Sequence, residues 1–170
     1  MHDWGPGVGM QWETTRSAAE TNGALLEGTM WFAPRMAGPP VHVHPAAEET
    51  FTVLEGGVEV LLDGTWSPVA VGETSVVPRG APHSVRNLSD TPAKLVNTHS
   101  PAQQMEGFFI DGASLAGAGK ITSLPPKNPK SAIYAAMLFT KYPDEIVAVG
   151  PKRPLFRALT LIGRTLGWKA

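Results

Sequence analysis

The sequence predicts an all-β domain that is followed by a helical C-terminal segment. Between residues 24 and 100, short runs rich in β-branched and aromatic residues alternate with turn residues about every eight to twelve positions. The chain carries 18 glycines and 16 prolines in 170 residues, which favours many short strands joined by tight turns over a helical bundle. After residue 101 the pattern changes, and two segments show helical periodicity.

Most predicted strands are bounded by a turn signal. The loop at residues 33–40 ends in two consecutive prolines, and Glu55-Gly56-Gly57 and Asp63-Gly64 are predicted hairpin turns. The predicted strands are residues 24–32, 41–44, 49–54, 58–62, 66–71, 75–77, 83–88 and 93–99. Strands of this length and spacing are typical of a sandwich or a barrel.

The C-terminal part is predicted to be irregular up to residue 129, because it contains a Gly/Ala-rich patch and paired prolines. A helix is predicted over residues 131–141 with Ser131 as its N-cap, and a second one from near Pro154 to about Leu166. In the second helix one face carries four apolar residues, Leu155, Leu159, Ile162 and Leu166.

We therefore expect three parts in this chain. Residues 1–23 form a short N-terminal arm, and residues 24–105 form the β-barrel. Residues 106–170 form an irregular segment and two C-terminal helices.

The composition narrows the possible functions. The chain has no cysteine, so disulfides are excluded and any metal ligands must be nitrogen or oxygen atoms. The net charge is −1 and basic residues do not cluster densely, so no nucleic-acid partner is expected. No secretory leader and no run of about 18 apolar residues occurs, so we expect a cytoplasmic protein that does not span a membrane.

Four side chains have the chemistry of a metal site. His42 and His44 lie two residues apart in a predicted strand, so their imidazoles point to the same face. Glu49 begins the next strand, and His83 follows a tight loop that contains two prolines. Three imidazoles and one carboxylate suit a divalent transition metal, either Fe, Mn, Ni, Cu, Co or Zn. Spacing alone leaves open that the paired histidines are surface residues or structurally bonded ones.

The surrounding pattern resembles the cupin superfamily. Residues 42–56 match its first motif, with His42, His44, Glu49 and Gly56 at the family spacing. The second motif is matched by Gly72, Pro78, Gly80, His83 and Asn87, after the fifteen residues 57–71. One departure is that the family's leading glycine would fall on Met36, with Gly38 nearby. The resemblance covers residues 24–100 and implies a double-stranded β-helix, or jelly-roll barrel, that holds a metal through His42, His44, Glu49 and His83.

Other residues have two possible roles. Glu48 is the rival of Glu49 as carboxylate ligand, and the motif spacing to Gly56 selects Glu49, which can also act as a base. His99 either lines the cavity as an acid–base group or is an exposed histidine at a strand end, the latter being favoured. Met30, Trp31 and Phe51 either line a pocket or belong to the core. Asn87 is expected to brace a turn.

Three functions follow from the resemblance. The first is a mononuclear non-haem metal-dependent oxygenase acting on a small organic molecule. The second is a metal-dependent isomerase, lyase or cyclase, and the third is a barrel that binds or senses a small ligand without turnover. We also expect a homodimer, as small cupins often pair through their sheets.

The last predicted helix carries Arg153, Arg157 and Arg164 and no acidic residue. We expect it to cover the barrel or a dimer partner. Association with an anionic membrane surface is the alternative.

Overall fold

Two antiparallel sheets enclose one hydrophobic core in the computed structural model, which describes residues 1–170. The strands are β1 (His2–Asp3), β2 (Met10–Arg16), β3 (Leu26–Phe32), β4 (His42–Val43), β5 (Glu48–Glu55), β6 (Val58–Leu62), β7 (Thr65–Val69), β8 (Thr74–Val77), β9 (His83–Arg86), β10 (Ala93–Ser100) and β11 (Val147–Ala148). The helices are α1 (Met105–Gly117), α2 (Pro129–Lys141) and α3 (Lys152–Thr165).

The sheet topology is that of a jelly-roll barrel with helices attached. One sheet has the order β1-β2-β3-β10-β5-β8, and the other has the order β11-β4-β9-β6-β7. In β3 and β10 every second side chain is buried, as expected for strands with one face toward a core. The predicted all-β barrel with C-terminal helices is therefore confirmed.

The N-terminal residues are not an arm, which corrects the sequence prediction. β1 and β2 extend the first sheet, since β2 pairs with β3 over a register that includes Trp12 opposite Met30. Trp12 is fully buried, and its indole stacks on Phe109 of α1 at a ring-centroid distance of 4.0 Å. Gly28 makes room for this indole, because a Cβ there would lie 2.2 Å from the Trp12 ring.

The stretch predicted to be irregular contains α1, so the C-terminal part has three helices rather than two. Its glycines lower helix propensity by about 1 kcal/mol each, which is why the sequence pattern misses the helix. Tertiary packing outweighs that cost. At Gly112 the ring of Trp4 occupies the place where a Cβ would stand, at 1.9 Å, so the helix needs glycine there.

α2 begins at Pro129, and its N-cap is Asn128 instead of the predicted Ser131. The Asn128 side chain accepts a hydrogen bond of 2.8 Å from the Ser131 backbone N–H. None of the three helices has the length and apolar character needed to cross a membrane.

The loop before β4 has Met36 at the position of the family's leading glycine. Met36 makes an isolated β-bridge with Asn87. Gly38 takes a φ of +83°, and a Cβ there would lie 1.9 Å from the carbonyl oxygen of Val85. Gly38 therefore meets the requirement for close backbone approach in this loop. As predicted, Asn87 braces a turn, donating to the carbonyls of Ala33 and Thr91.

Candidate metal centre

The four predicted ligands meet in the barrel interior, although they come from both sheets. His42 begins β4 and is paired in register with His83, the first residue of β9. His44 directly follows β4, and Glu49 lies on β5 in the other sheet. One ligand atom from each of the four residues lies within 4.8 Å of the others, and all four side chains are buried.

Each of the three imidazoles is fixed by a hydrogen bond from Nδ1 to a backbone carbonyl. Nδ1 of His42 donates to Pro40, and Nδ1 of His83 donates to Ala81, at 2.8 and 2.9 Å. His44 donates to the carbonyl of Glu145, which lies in the C-terminal part. A carbonyl oxygen only accepts, so Nδ1 carries the proton and Nε2 keeps the lone pair that binds a metal in the neutral ring.

The opposite side of this group is left without hydrogen bonds. Nε2 of His44, Nε2 of His83 and Oε2 of Glu49 are buried atoms that make none. Yet Oε2 lies 2.7 Å from Nε2 of His83 and 3.3 Å from Nε2 of His44. Converging acceptor atoms repel one another unless a cation lies between them or a proton is added. The donor set and its orientation thus fit a divalent transition metal.

Three of the four proposed ligands have shifted pKa values, and two of these shifts favour the protonation state that binds a metal. Burial, followed by the neighbouring His83 and His44, lowers the pKa of His42 well below its usual value. Burial opposes ionisation of Glu49, but the neighbouring His44 outweighs it and holds the Glu49 pKa well below its usual value. For His44, burial is outweighed by the Glu49 carboxylate, which raises the pKa of His44. A metal would therefore compete with a proton at His44.

His99 is buried, so the favoured interpretation as an exposed strand-end histidine is wrong. It pairs in register with Glu49 across β10 and β5, and its Nε2 lies 3.4 Å from Glu49 Oε1. Nε2 also lies 3.0 Å from Oδ1 of Asn97, to which it donates in the neutral ring. Burial lowers the pKa of His99 to about 3, so the ring is neutral.

Asn97 is a site residue that the motif analysis missed. Its Nδ2 donates to Glu49 Oε1 and to the carbonyl of Thr50, both at 2.9 Å. This amide therefore fixes the carboxylate and leaves Oε2 facing the histidines. The alternation of Leu95, Asn97 and His99 along β10 indicates that all three face inward. The hydrogen-bond partner of the Asn97 amide, however, depends on how the strands pair, which the alternation does not predict.

A small apolar chamber of about 50 Å³ adjoins the histidines. His42, His44 and Glu49 supply its polar wall, while the rest of the lining is apolar side chains and Gly38. Met30 and Phe51 belong to the lining, as one interpretation of the sequence proposed, and Trp31 does not. Glu48 is exposed, which leaves Glu49 as the inward carboxylate.

The helical part of the chain forms one wall of the chamber, here called the roof. The roof consists of Phe108 and Phe109 from α1, Phe139 from α2, and Ile146 before β11. The rings of Phe108 and Phe139 meet edge to face at 5.5 Å, and Phe139 faces His42 at 6.3 Å. Sequence periodicity predicted α2 but not this contact, because the contact joins elements far apart in the chain.

Comparison with known proteins agrees with the barrel. The model of the Cupin domain family matches residues 28–99. Polyketide synthase CurC of Streptomyces cyaneus is 38% identical over 60 residues, covering 35% of this chain and 39% of that protein. Germin-like protein 3-5 of Oryza sativa subsp. japonica is 40% identical over 81 residues, which are 41% and 35% of the two chains. Quercetin 2,3-dioxygenase of Bacillus subtilis strain 168 is 32% identical over 81 residues, covering 48% of this chain and 24% of that protein.

These matches span between about a quarter and two fifths of the curated relatives. Among solved structures, TT1209 from Thermus thermophilus has a TM-score of 0.51 and 28% identity, over 58% of this chain and 89% of that one. Both family motifs lie on paired strands of a jelly-roll barrel, so residues 28–99 form a barrel of the cupin superfamily.

Proposed function

We propose that this protein is a mononuclear metal-dependent enzyme of the oxygenase type, acting on a small apolar molecule. In this proposal His42, His44, Glu49 and His83 bind one divalent transition metal. The observation that carries it is the set of three buried ligand atoms without hydrogen bonds, on His44, His83 and Glu49. Each of the three imidazoles among the proposed ligands is already oriented for this purpose by its Nδ1–H bond.

Held by these four residues, a divalent transition metal that accepts more than four ligands would supply activation of a chelating substrate and of O₂. A tetrahedral zinc ion would be closed by the same ligands, so the metal decides between a reactive and a structural site. The likeness to a quercetin 2,3-dioxygenase favours the oxygenase among the possible reactions.

The protein's own residues position and shield the reaction. Asn97 holds Oε1 of Glu49, so the other oxygen, Oε2, is the atom that faces a metal, and it can accept a proton from a substrate once it leaves the metal. The aromatic roof excludes water, which strengthens electrostatic interactions inside the chamber. His99 is neutral and donates to Asn97, so it helps to fix the amide that holds Glu49.

The lining defines the substrate class. Beyond the proposed ligands the chamber offers no charged or hydrogen-bonding side chain except the indole of Trp4, whose Nε1 has no hydrogen-bond partner. Apart from one hydrogen bond from Trp4 Nε1, a second carboxylate or a sugar hydroxyl would therefore lose its hydration without replacement. We expect a compact molecule whose polar atoms all bind the metal. The free space of about 50 Å³ also requires the roof to move when such a molecule enters.

Elemental analysis of the purified protein tests the metal, and oxygen uptake tests the reaction. We expect about one equivalent of Fe, Mn, Ni, Cu or Co, and metal-dependent O₂ consumption with apolar chelating probes such as catechol and acetylacetone. Oxalate is the polar comparison and should not support uptake. Turnover without O₂ would replace the oxygenase with Lewis-acid chemistry, and probe binding without product would leave a ligand-binding module. The expected homodimer stays a prediction, which light scattering of the purified protein checks.

A further inference from the structure

Helix α3 is packed on the protein by a face that differs from its predicted apolar face. The side toward α2 consists of Phe156, Leu159, Thr160 and Gly163. The approach is close at Gly163, where a Cβ would lie 2.4 Å from Sδ of Met137. The helix is thus anchored, and three of the four predicted apolar residues remain outside this contact.

The outward side of α3 carries large apolar side chains. Leu155, Leu161, Ile162 and Leu166 are 52%, 63%, 46% and 57% exposed. At 3.6 residues per turn they share an arc of about 140° with Pro154, Ala158 and Thr165. No charged residue lies within this arc. The outward face of a helix on a protein surface is ordinarily polar. The apolar arc therefore indicates an apolar partner.

The charges around the arc all have the same sign. Arg153, Arg157 and Arg164 flank it on one side, and no acidic residue follows Glu145 in the sequence. None of the three arginines takes part in an ion pair. They line a groove of about 420 Å³ between α2, β11 and α3, and this groove contains no acidic side chain. The groove and its rim are therefore suited to anionic groups.

We propose that α3 docks on the surface of a bilayer that contains anionic lipid. The uncharged arc would enter the boundary between headgroups and acyl chains, while the arginines reach back to the phosphates. At about 1.5 Å per residue the 14-residue helix is about 21 Å long, which suits lying in the interface. A second copy of the chain fits this face less well, because symmetric docking of α3 would bring two sets of unpaired arginines together.

Co-sedimentation of the full chain with vesicles tests this proposal. We expect binding to vesicles of phosphatidylcholine mixed with phosphatidylglycerol, at least about tenfold weaker binding to phosphatidylcholine alone, and loss of binding at high salt. The R153Q/R157Q/R164Q variant should bind the mixed vesicles about a hundredfold more weakly, at about fivefold for each charge. The L155S/I162S/L166S variant keeps every charge and should bind more than about tenfold more weakly.

The matched control is V71S/R79Q, which removes an exposed apolar side chain and an exposed charge far along the chain from α3. Its binding should equal that of the wild type. Circular dichroism verifies that every variant is folded, as expected for substitutions of exposed residues. Failure to bind the mixed vesicles, equal binding to both lipids, or equal loss in the control would each overturn the proposal. A wild-type dimer that ignores vesicles and dissociates in L155S/I162S/L166S would assign the face to a second copy instead.

Discussion

Asn97 donates a hydrogen bond of 2.9 Å from its Nδ2 to Oε1 of Glu49, across the pair of strands β10 and β5. The two residues are 48 positions apart, and both are buried. This bond determines which carboxylate oxygen faces the histidines, so the strand that carries no proposed ligand still orients one. The proposed metal site therefore extends beyond its four ligands.

Replacing Asn97 by Ala should lower metal affinity about 10- to 100-fold, because Glu49 loses the donor that fixes its orientation. Metal affinity can be measured by competition with a fluorescent chelator. Thr98→Ala is the control on the same strand. Its hydroxyl bonds to Thr50 on the other face of the sheet, and its loss should leave metal affinity unchanged. Equal losses in the two variants would show that the sheet, and not the amide, is responsible.

Replacing His83 by Ala should remove most of the bound metal while the barrel stays folded. His83 is the first residue of the inner strand β9, and its imidazole supplies one of the converging nitrogen atoms. The core around it is formed by other residues. We expect at least about a tenfold loss of metal content in elemental analysis, with native circular dichroism. His2→Ala removes an imidazole from β1 and should keep its metal. Undiminished metal in the His83 variant would contradict the ligand assignment.

The sequence predicts the parts of the site that depend on local spacing. His42 and His44 are two residues apart at β4, and the motif fixes Glu49 and His83 relative to tight turns, so each proposed ligand is positioned by its near neighbours in the chain. The remaining contributions come from distant elements. The carbonyl of Glu145 lies 101 residues from His44 and accepts a hydrogen bond from its Nδ1, and no local pattern marks such a partner.

The missed elements have the same explanation. α1 contains glycines that oppose a helix, and they are required only because Trp4 and Tyr142 pack against Gly112 and Gly107. β2 follows a glycine-rich stretch, and its place in the sheet depends on Trp12 fitting against Gly28. Periodicity along the chain carries no information on these fits. The four apolar residues predicted for α3 share one face, but Gly163 makes another face the one that packs closely.

A charged contact between α1 and α2 should make the roof of the chamber sensitive to acid. Asp111 accepts from the Tyr142 hydroxyl and from Lys141 at 2.7 Å. Burial opposes the ionised form, but these two donors outweigh it and lower the pKa of Asp111 below 3.8. A carboxylate with a lowered pKa stabilises the fold fully above its unfolded pKa, and this contribution is lost as the pH falls through the folded pKa.

Asp111→Asn should therefore lower the free energy of unfolding at neutral pH by about 1 kcal/mol, since the contact is partly exposed. The melting temperature should fall by about 2–4 °C. The difference from the wild type should shrink as the pH falls below 3.8. Thermal unfolding followed at several pH values measures this, with the exposed turn variant Asp63→Asn as control. A difference that persists unchanged at low pH would show that packing, and not the charge, is lost.

The size of the chamber should set which apolar molecules reach the proposed metal site. Phe139 separates the chamber from the outer groove, since it lines both, and its ring faces His42. Phe139→Leu shortens this wall at a cost of about 1 kcal/mol in stability and leaves every proposed ligand in place. Metal content should therefore stay unchanged.

Two chelating probes that differ by one ring, catechol and naphthalene-2,3-diol, report the change. In Phe139→Leu the ratio of their dissociation constants should shift about tenfold toward the larger probe, because space is gained beside His42. Phe156→Leu is the matched control, as Phe156 packs edge to face on Phe139 at 5.4 Å but does not line the chamber. Its ratio should equal that of the wild type. An equal shift in both variants would indicate general loosening of the helices, and no shift in Phe139→Leu would mean that substrates enter by another wall of the chamber.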